Sequence, residues 1–145
     1  MAKYTVTHSC GHEEVVDLWG KGKDRKSRLE WLATVPCMEC KRAAELADTV
    51  ETEQRLGLNP NMKGTERQVA WARSLRADRM EQLIALAKEG GFIAPTPKDA
   101  INALVKFANR QDASVWIDGR FSNCENFIYE NNDEIMKDFE QWIKN

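Results

Sequence analysis

The longest uninterrupted apolar run in this sequence is LIALA at 83–87, and the start, MAKYTVTHSC, has no apolar stretch of signal-peptide length. A membrane span needs about 20 apolar residues, so neither membrane insertion nor secretion is expected. Charge of one sign is not in excess either. The 21 Lys and Arg face 23 Asp and Glu, a formal net charge of −2, which argues against a generally basic nucleic-acid coat and leaves only local patches. There is no G-x-x-x-x-G-K-[ST] and no G-x-G-x-x-G, so no phosphate-cradling loop of either kind. Both histidines fall in HSCGHEE at 8–14, which leaves no imidazole for a Ser-His or Cys-His pair elsewhere. Internal repeats and low-complexity tracts are also missing. What remains is a chain of 145 residues, 42% hydrophobic, sufficient for one domain or two small ones.

The organisation changes near residue 57. YTVTH and EEVVDLW read as two strands flanking the Cys10-Gly11-His12 turn, as the arms of a hairpin would. A basic loop, GKGKDRKSR, leads into a short amphipathic segment, RLEWLAT. After Pro36 the sequence predicts a helix whose first turn holds Cys37 and Cys40 and which stops at Gly57. GLNPNMKG has turn chemistry without periodicity, so 57–63 is expected to be a linker between a head at 1–56 and a body at 64–145. The body reads as helical throughout. Thr65 and Gln68 make a capping box for a helix with Val69, Ala72, Leu75, Met80, Leu83 and Ala87 inward, ended by Gly90-Gly91. Thr96 and Pro97 open a second helix with Ile101, Leu104, Phe107 and Ala108 inward. ASVWID is a short helix closed by Gly119, and Ser122 with Glu125 reads as another capping box. After a break at Asn131-Asn132, Ile135, Phe139, Trp142 and Ile143 are expected to pack inward.

Cysteines and histidines carry the chemistry. The pairs C-x-H (Cys10, His12) and C-x-x-C (Cys37, Cys40) each place two donors on a tight turn, and 24 residues separate them. Such pairs suit a tetrahedral Zn²⁺, and in a reducing compartment clustered cysteines are more often metal ligands than disulfides. The expected fold class is therefore α+β: a treble-clef-like zinc-binding hairpin-plus-helix head, then a mostly helical body. One structural Zn²⁺ per chain would bind Cys10, His12, Cys37 and Cys40, with His8 as a weaker alternative to His12. Cys124 reads as a partly buried thiol outside the site. The same residues also fit the H-x-E and P-C-x-x-C pattern of zinc-dependent nucleobase deaminases, with Glu14 as proton shuttle. Against that reading, Cys10 would fill the position a catalytic water needs, and EEVVDLW looks like a strand where the deaminase pattern opens a helix.

Three candidate surfaces stand out. Lys21, Lys23, Arg25, Lys26 and Arg28 form a basic patch opposed only by Asp24; it could meet phosphate or an acidic protein, or simply be solvated. Arg73, Arg76 and Arg79 sit on a long helix with Arg67 and Trp71, residue types enriched at interfaces. Residues 125–145 hold six acids, among them Glu134, Asp138 and Glu140, against two bases.

The stretches CGHEEVVDLWGKGKDRKSRLEWLATVPCMECKRAAE, GTERQVAWARSLRADRM and ASVWIDGR resemble small zinc-headed proteins carried by phages and mobile elements of Gram-positive bacteria. Among these are metal-containing anti-CRISPR proteins. The resemblance implies a non-enzymatic accessory protein of the host bacterial cytoplasm, with metal ligands at Cys10, His12, Cys37 and Cys40, whose partner is a type II CRISPR effector nuclease. The alternative is a phage-encoded nucleic-acid-binding protein using the basic loop and the arginine-rich helix.

Overall fold

A computed structural model describes residues 2–143. The chain is α+β, with a two-stranded antiparallel hairpin followed by helices. It divides into two compact units, Met1–Ala47 and Asp48–Asn145. The boundary lies inside a helix, nine residues before the position expected from sequence, because a regular helical stretch carries no turn signal to mark it.

In the first unit, strand β1 (Ala2–Thr7) pairs with β2 (Glu13–Leu18), with Tyr4 opposite Val16 and Val6 opposite Glu14. Strand alternation puts Val6 inward and Thr5 and Thr7 outward. Helix α1 (Gly22–Leu32) follows, so the basic stretch expected as a loop is helical; Lys, Arg, Leu and Glu all tolerate a helix, and solvation of the charges does not demand an irregular backbone. Helix α2 (Met38–Leu56) begins directly after Cys37. Its end is a Schellman-type stop: Gly57 has φ +76° and the Leu58 N–H reaches the Glu53 carbonyl at 2.8 Å.

The second unit is built around α3 (Glu66–Lys88), which packs on α4 (Pro97–Arg110) and α5 (Ala113–Asp118). The capping box of Thr65 and Gln68 is present, and Thr96 caps α4 with Pro97 in its first turn. Short helices α6 (Cys124–Glu130), α7 (Asn132–Lys137) and α8 (Glu140–Ile143) complete it. Aromatic rings join the layers: Trp116 stacks on Phe127 at 5.5 Å and meets Phe107 edge-on at 6.0 Å. Three expectations for this unit are corrected. The cap of α6 is Asn123, not Ser122, whose hydroxyl instead donates to Glu130. Ile143 is exposed at the end of a four-residue helix too short to turn a second face inward. The 57–63 stretch is not a free linker. Leu58 is buried in the core, Asn109 bonds the Asn59 N–H and the Gly57 carbonyl, and Lys63 accepts from the Ala113 N–H.

The two units differ in what they bury. Of eighteen buried apolar residues among those described, only Val6 belongs to the first unit.

Candidate metal centre

Local backbone chemistry aims the four donors. Between the strands, the His8 N–H bonds the His12 carbonyl at 2.9 Å and the Gly11 N–H bonds the His8 carbonyl at 2.9 Å, closing a tight turn. Gly11 sits at φ +88°, a left-handed position that side chains resist, and this lets Cys10 and His12 point the same way. The second pair comes from the start of α2: Cys37 precedes its first residue and Cys40 lies within its first turn. The Ser9 N–H bonds the Val35 carbonyl at 3.0 Å, so the turn and the segment entering α2 are stitched together beside the ligands.

The result is a cluster of Cys10, His12, Cys37 and Cys40 whose donor atoms all lie within 4.8 Å of one another. Nδ1 of His12 is 3.4 Å from Cys10 Sγ, 3.6 Å from Cys37 Sγ and 3.2 Å from Cys40 Sγ. Zinc bonds of about 2.3 Å to sulfur and 2.0–2.1 Å to nitrogen put adjacent donors of a tetrahedron roughly 3.5–3.8 Å apart. The observed spacings therefore approximate the edges of such a tetrahedron, and the four residues can hold a metal ion. His12 then binds through Nδ1, with its proton on Nε2.

The electrostatics point the same way. The Cys37 backbone N–H, 3.4 Å from Cys10 Sγ, is the main cause that lowers the Cys10 thiol to about 6. The Cys40 thiol is instead pushed up to about 11, chiefly by the sulfur of Cys37 and then by burial. The neighbouring sulfurs thus hold the Cys10 and Cys40 thiols apart in acidity, and a divalent cation among the donors would favour the thiolate form.

His8 is outside the cluster. It is 5% exposed; Nδ1 lies 3.0 Å from the Leu32 carbonyl and Nε2 lies 2.7 Å from Glu14 Oε2. With both ring nitrogens so engaged it clamps the end of α1 to the hairpin, and the Glu14 hydrogen bond holds its pKa above the usual histidine value. Its place two residues beyond Val6, just past the end of β1 and in line with its inward face, is the signal that identifies this role, since residues two apart share a face. Glu14 is thereby committed to His8. Cys124 belongs to the second unit, packed against its core, with its thiol pushed up by burial.

The candidate surfaces fare unequally. Lys21, Lys23, Lys26 and Arg28 are exposed on or beside α1, with Arg25 half-buried and Arg28 stacked 4.5 Å over Trp31. Arg73 and Arg76 both pair with Glu53, at 2.7 and 3.0 Å; the Arg76 side chain, 1% exposed, is not a surface, and Arg73 is half-buried. The helix that carries them turns that side inward, where Glu53 of α2 neutralises part of their charge; burial lowers the Arg76 pKa nonetheless. Arg79 is half-buried, donating to the carbonyls of Gly119 and Ser122. In the acidic end, Glu134 pairs with Lys137 at 2.6 Å and Asp138 pairs with Arg110, while Glu140 is exposed.

Against protein-family models, curated proteins and solved structures, the chain finds no match. No helix among the described residues is long and apolar enough to cross a membrane.

Proposed function

We propose that the protein is a non-enzymatic binding protein whose head is folded by one structural Zn²⁺, and that it inhibits a type II RNA-guided DNA nuclease by opposing target-DNA loading or cleavage. The observation that carries the first half is the complete donor set. Four protein ligands on one ion, their donor atoms all within 4.8 Å of one another, would leave no position for the water or substrate that a catalytic zinc needs. Glu14, the residue a deaminase would use as proton shuttle, is bonded to His8. Three thiolates and a neutral imidazole are the donors zinc prefers, which supports its choice over harder cations.

The partner rests on the resemblance to zinc-headed phage and mobile-element proteins, acting in the cytoplasm of a bacterial host. In this reading the zinc holds the shape of a docking surface and does no chemistry. The test is DNA cleavage by several type II effectors with excess zinc-loaded protein: inhibition is expected, with guide and target chemically unchanged. Undiminished cleavage throughout would overturn the inhibitor half and leave the structural zinc standing.

One feature favours a second reading, nucleic-acid binding. The basic side chains of α1 lie in the same unit as two exposed tryptophans, Trp19 (72% exposed) and Trp31 (50%), a combination that suits phosphates and unstacked bases. With Arg76 buried and Arg73 half-buried on Glu53, that reading now rests on α1. It requires direct binding to free DNA or RNA that weakens steeply with salt, whereas the inhibitor reading requires capture of the nuclease and indifference to free nucleic acid.

A further inference from the structure

Strand β2 has a free side. The backbone bond from His8 to His12 fixes the alternation of the hairpin ladder, so with Thr7 opposite Glu13 the pairs that bond across it are Val6 with Glu14 and Tyr4 with Val16. The backbone N–H and C=O groups of Glu13, Val15 and Asp17 therefore point away from β1, and among the described residues no other backbone group meets them. Such an edge is a template for another strand, and proteins that refuse one cover it, bulge it or place Pro or Lys on it. β2 has neither Pro nor Lys; its charges are Glu13, Glu14 and Asp17.

A groove of about 510 Å³ lies beside this strand, wholly within the first unit. Glu14, Val16 and Leu18 line it from the face they share with Val6, and none of the residues of β1 does. Its other wall includes Trp31 and Met38, both half-exposed. Asp17, whose side chain belongs to the opposite face, lines it as well, so the groove reaches the outer edge of β2. A strand laid on that edge directs every second side chain into the groove, and an apolar residue there covers Val16, Leu18 and Trp31. Charge selects among strands. A second copy of β2, in the antiparallel register that uses all three outward residues, sets Glu13 against Asp17 of the other copy, and like charges directly opposed are unfavourable. Arg28 and Lys41 stand at the groove, so the basic residues of an incoming strand belong on the opposite face, across from Glu13 and Asp17.

We propose that the head binds an extended segment of a partner polypeptide by antiparallel addition to β2, with apolar side chains in the groove alternating with basic ones opposite Glu13 and Asp17. The main-chain bonds supply the attachment and the alternation supplies the choice of sequence. The mode holds for the nuclease of the preceding reading or for another partner, and its failure would leave that reading to its own cleavage assay.

The test is an NMR titration of the zinc-loaded full chain with a capped seven-residue peptide in which valine and leucine alternate with Lys, Thr and Lys. Saturable shifts are expected at the amides of Glu13, Val15 and Asp17, with hydrogen exchange there slowed at least tenfold, while those of Glu14 and Val16, already bonded to β1, change less. N-methylation of the Lys and Thr residues of the peptide, whose amides face β2, should abolish binding; N-methylation of its apolar residues should not. Glutamates in place of the lysines should weaken binding about tenfold. Val15→Pro removes an outward N–H at an edge position, where proline is tolerated, and should abolish binding with the head amides still dispersed. Asp17→Lys, which leaves the backbone untouched, should weaken the lysine peptide and strengthen the glutamate one. No saturable shift, equal affinity for the peptide methylated at Lys and Thr or for the glutamate peptide, or full affinity in Asp17→Lys would overturn the proposal. Concentration-dependent shifts of the same three amides without peptide would give the edge to a second copy and overturn it as well.

Discussion

The head and the body of this protein solve the folding problem with different chemistry. The body closes over a core of leucine, methionine, alanine and aromatic side chains, with Leu104, Phe107, Met80 and Leu83 wholly inaccessible. The head buries one apolar residue, Val6, and one imidazole, His8. A hairpin of two six-residue strands and an eleven-residue helix that bury so little do not outweigh the conformational entropy of ordering them. What joins them is a ring of polar contacts: the Cys10, His12, Cys37 and Cys40 cluster that could hold a metal, the His8 clamp and the Ser9–Val35 stitch. A small unit without a core needs a staple, and a metal is the staple this donor set suits.

That comparison can be broken at several points. The largest effect is expected from the metal. Purified protein should carry one Zn²⁺ per chain, and structural zinc contributes on the order of 10 kcal/mol in zinc-finger peptides. Chelation, Cys37→Ser or Cys40→Ser should therefore collapse the amide signals of the head while those of the body core keep their dispersion. Metal analysis returning no zinc from protein purified without chelator would remove the basis of the contrast. Acid should act like a chelator, because protons compete for the three thiolates and the imidazole; zinc retention should be complete near neutrality and lost as pH falls.

Glu53→Ala comes next. It leaves Arg76, almost inaccessible and already short of a partner at Nε, as an uncompensated buried charge. A loss of about 3–5 kcal/mol is expected by denaturant unfolding. Leu104→Ala empties a fully buried site and should cost about 2–5 kcal/mol with zinc stoichiometry unchanged; zinc loss in that variant would show the two stabilising devices to be coupled. The smallest effect is set at the cap of α3. Thr65→Ala removes one half of the capping box and should cost about 1 kcal/mol, read as a small drop in Tm.

Much of this architecture was legible in the linear sequence. Periodicity located α3 and α4 and most of their inward residues, because a helix of fourteen or more residues repeats its pattern several times. That Cys10, His12, Cys37 and Cys40 come together was legible because the spacing within each pair is a local property of two tight turns. The caps at Thr65 and Thr96 were correct for the same local reason, while the one assigned to Ser122 failed: the helix starts one residue later, with the Asn123 side chain accepting from the Asn126 N–H.

By itself, then, the sequence determined the strand and helix order, the paired donors and the apolar faces of the long helices, all of which depend on neighbours within a few turns. The tertiary structure alone decided which charged residues are surface and which are core. Arg73, Arg76 and Arg79 look alike in the chain, yet Glu53, twenty or more residues away, draws Arg76 into a buried pair and Arg73 into a half-buried one, while backbone carbonyls hold the third. It also decided between the two histidines. His12 faces three sulfurs and His8 faces two carbonyls and a carboxylate, and only the closing of hairpin, α1 and α2 on one another puts those partners within bonding distance. Burial and pairing are properties of contacts remote in sequence, and residue type does not encode them.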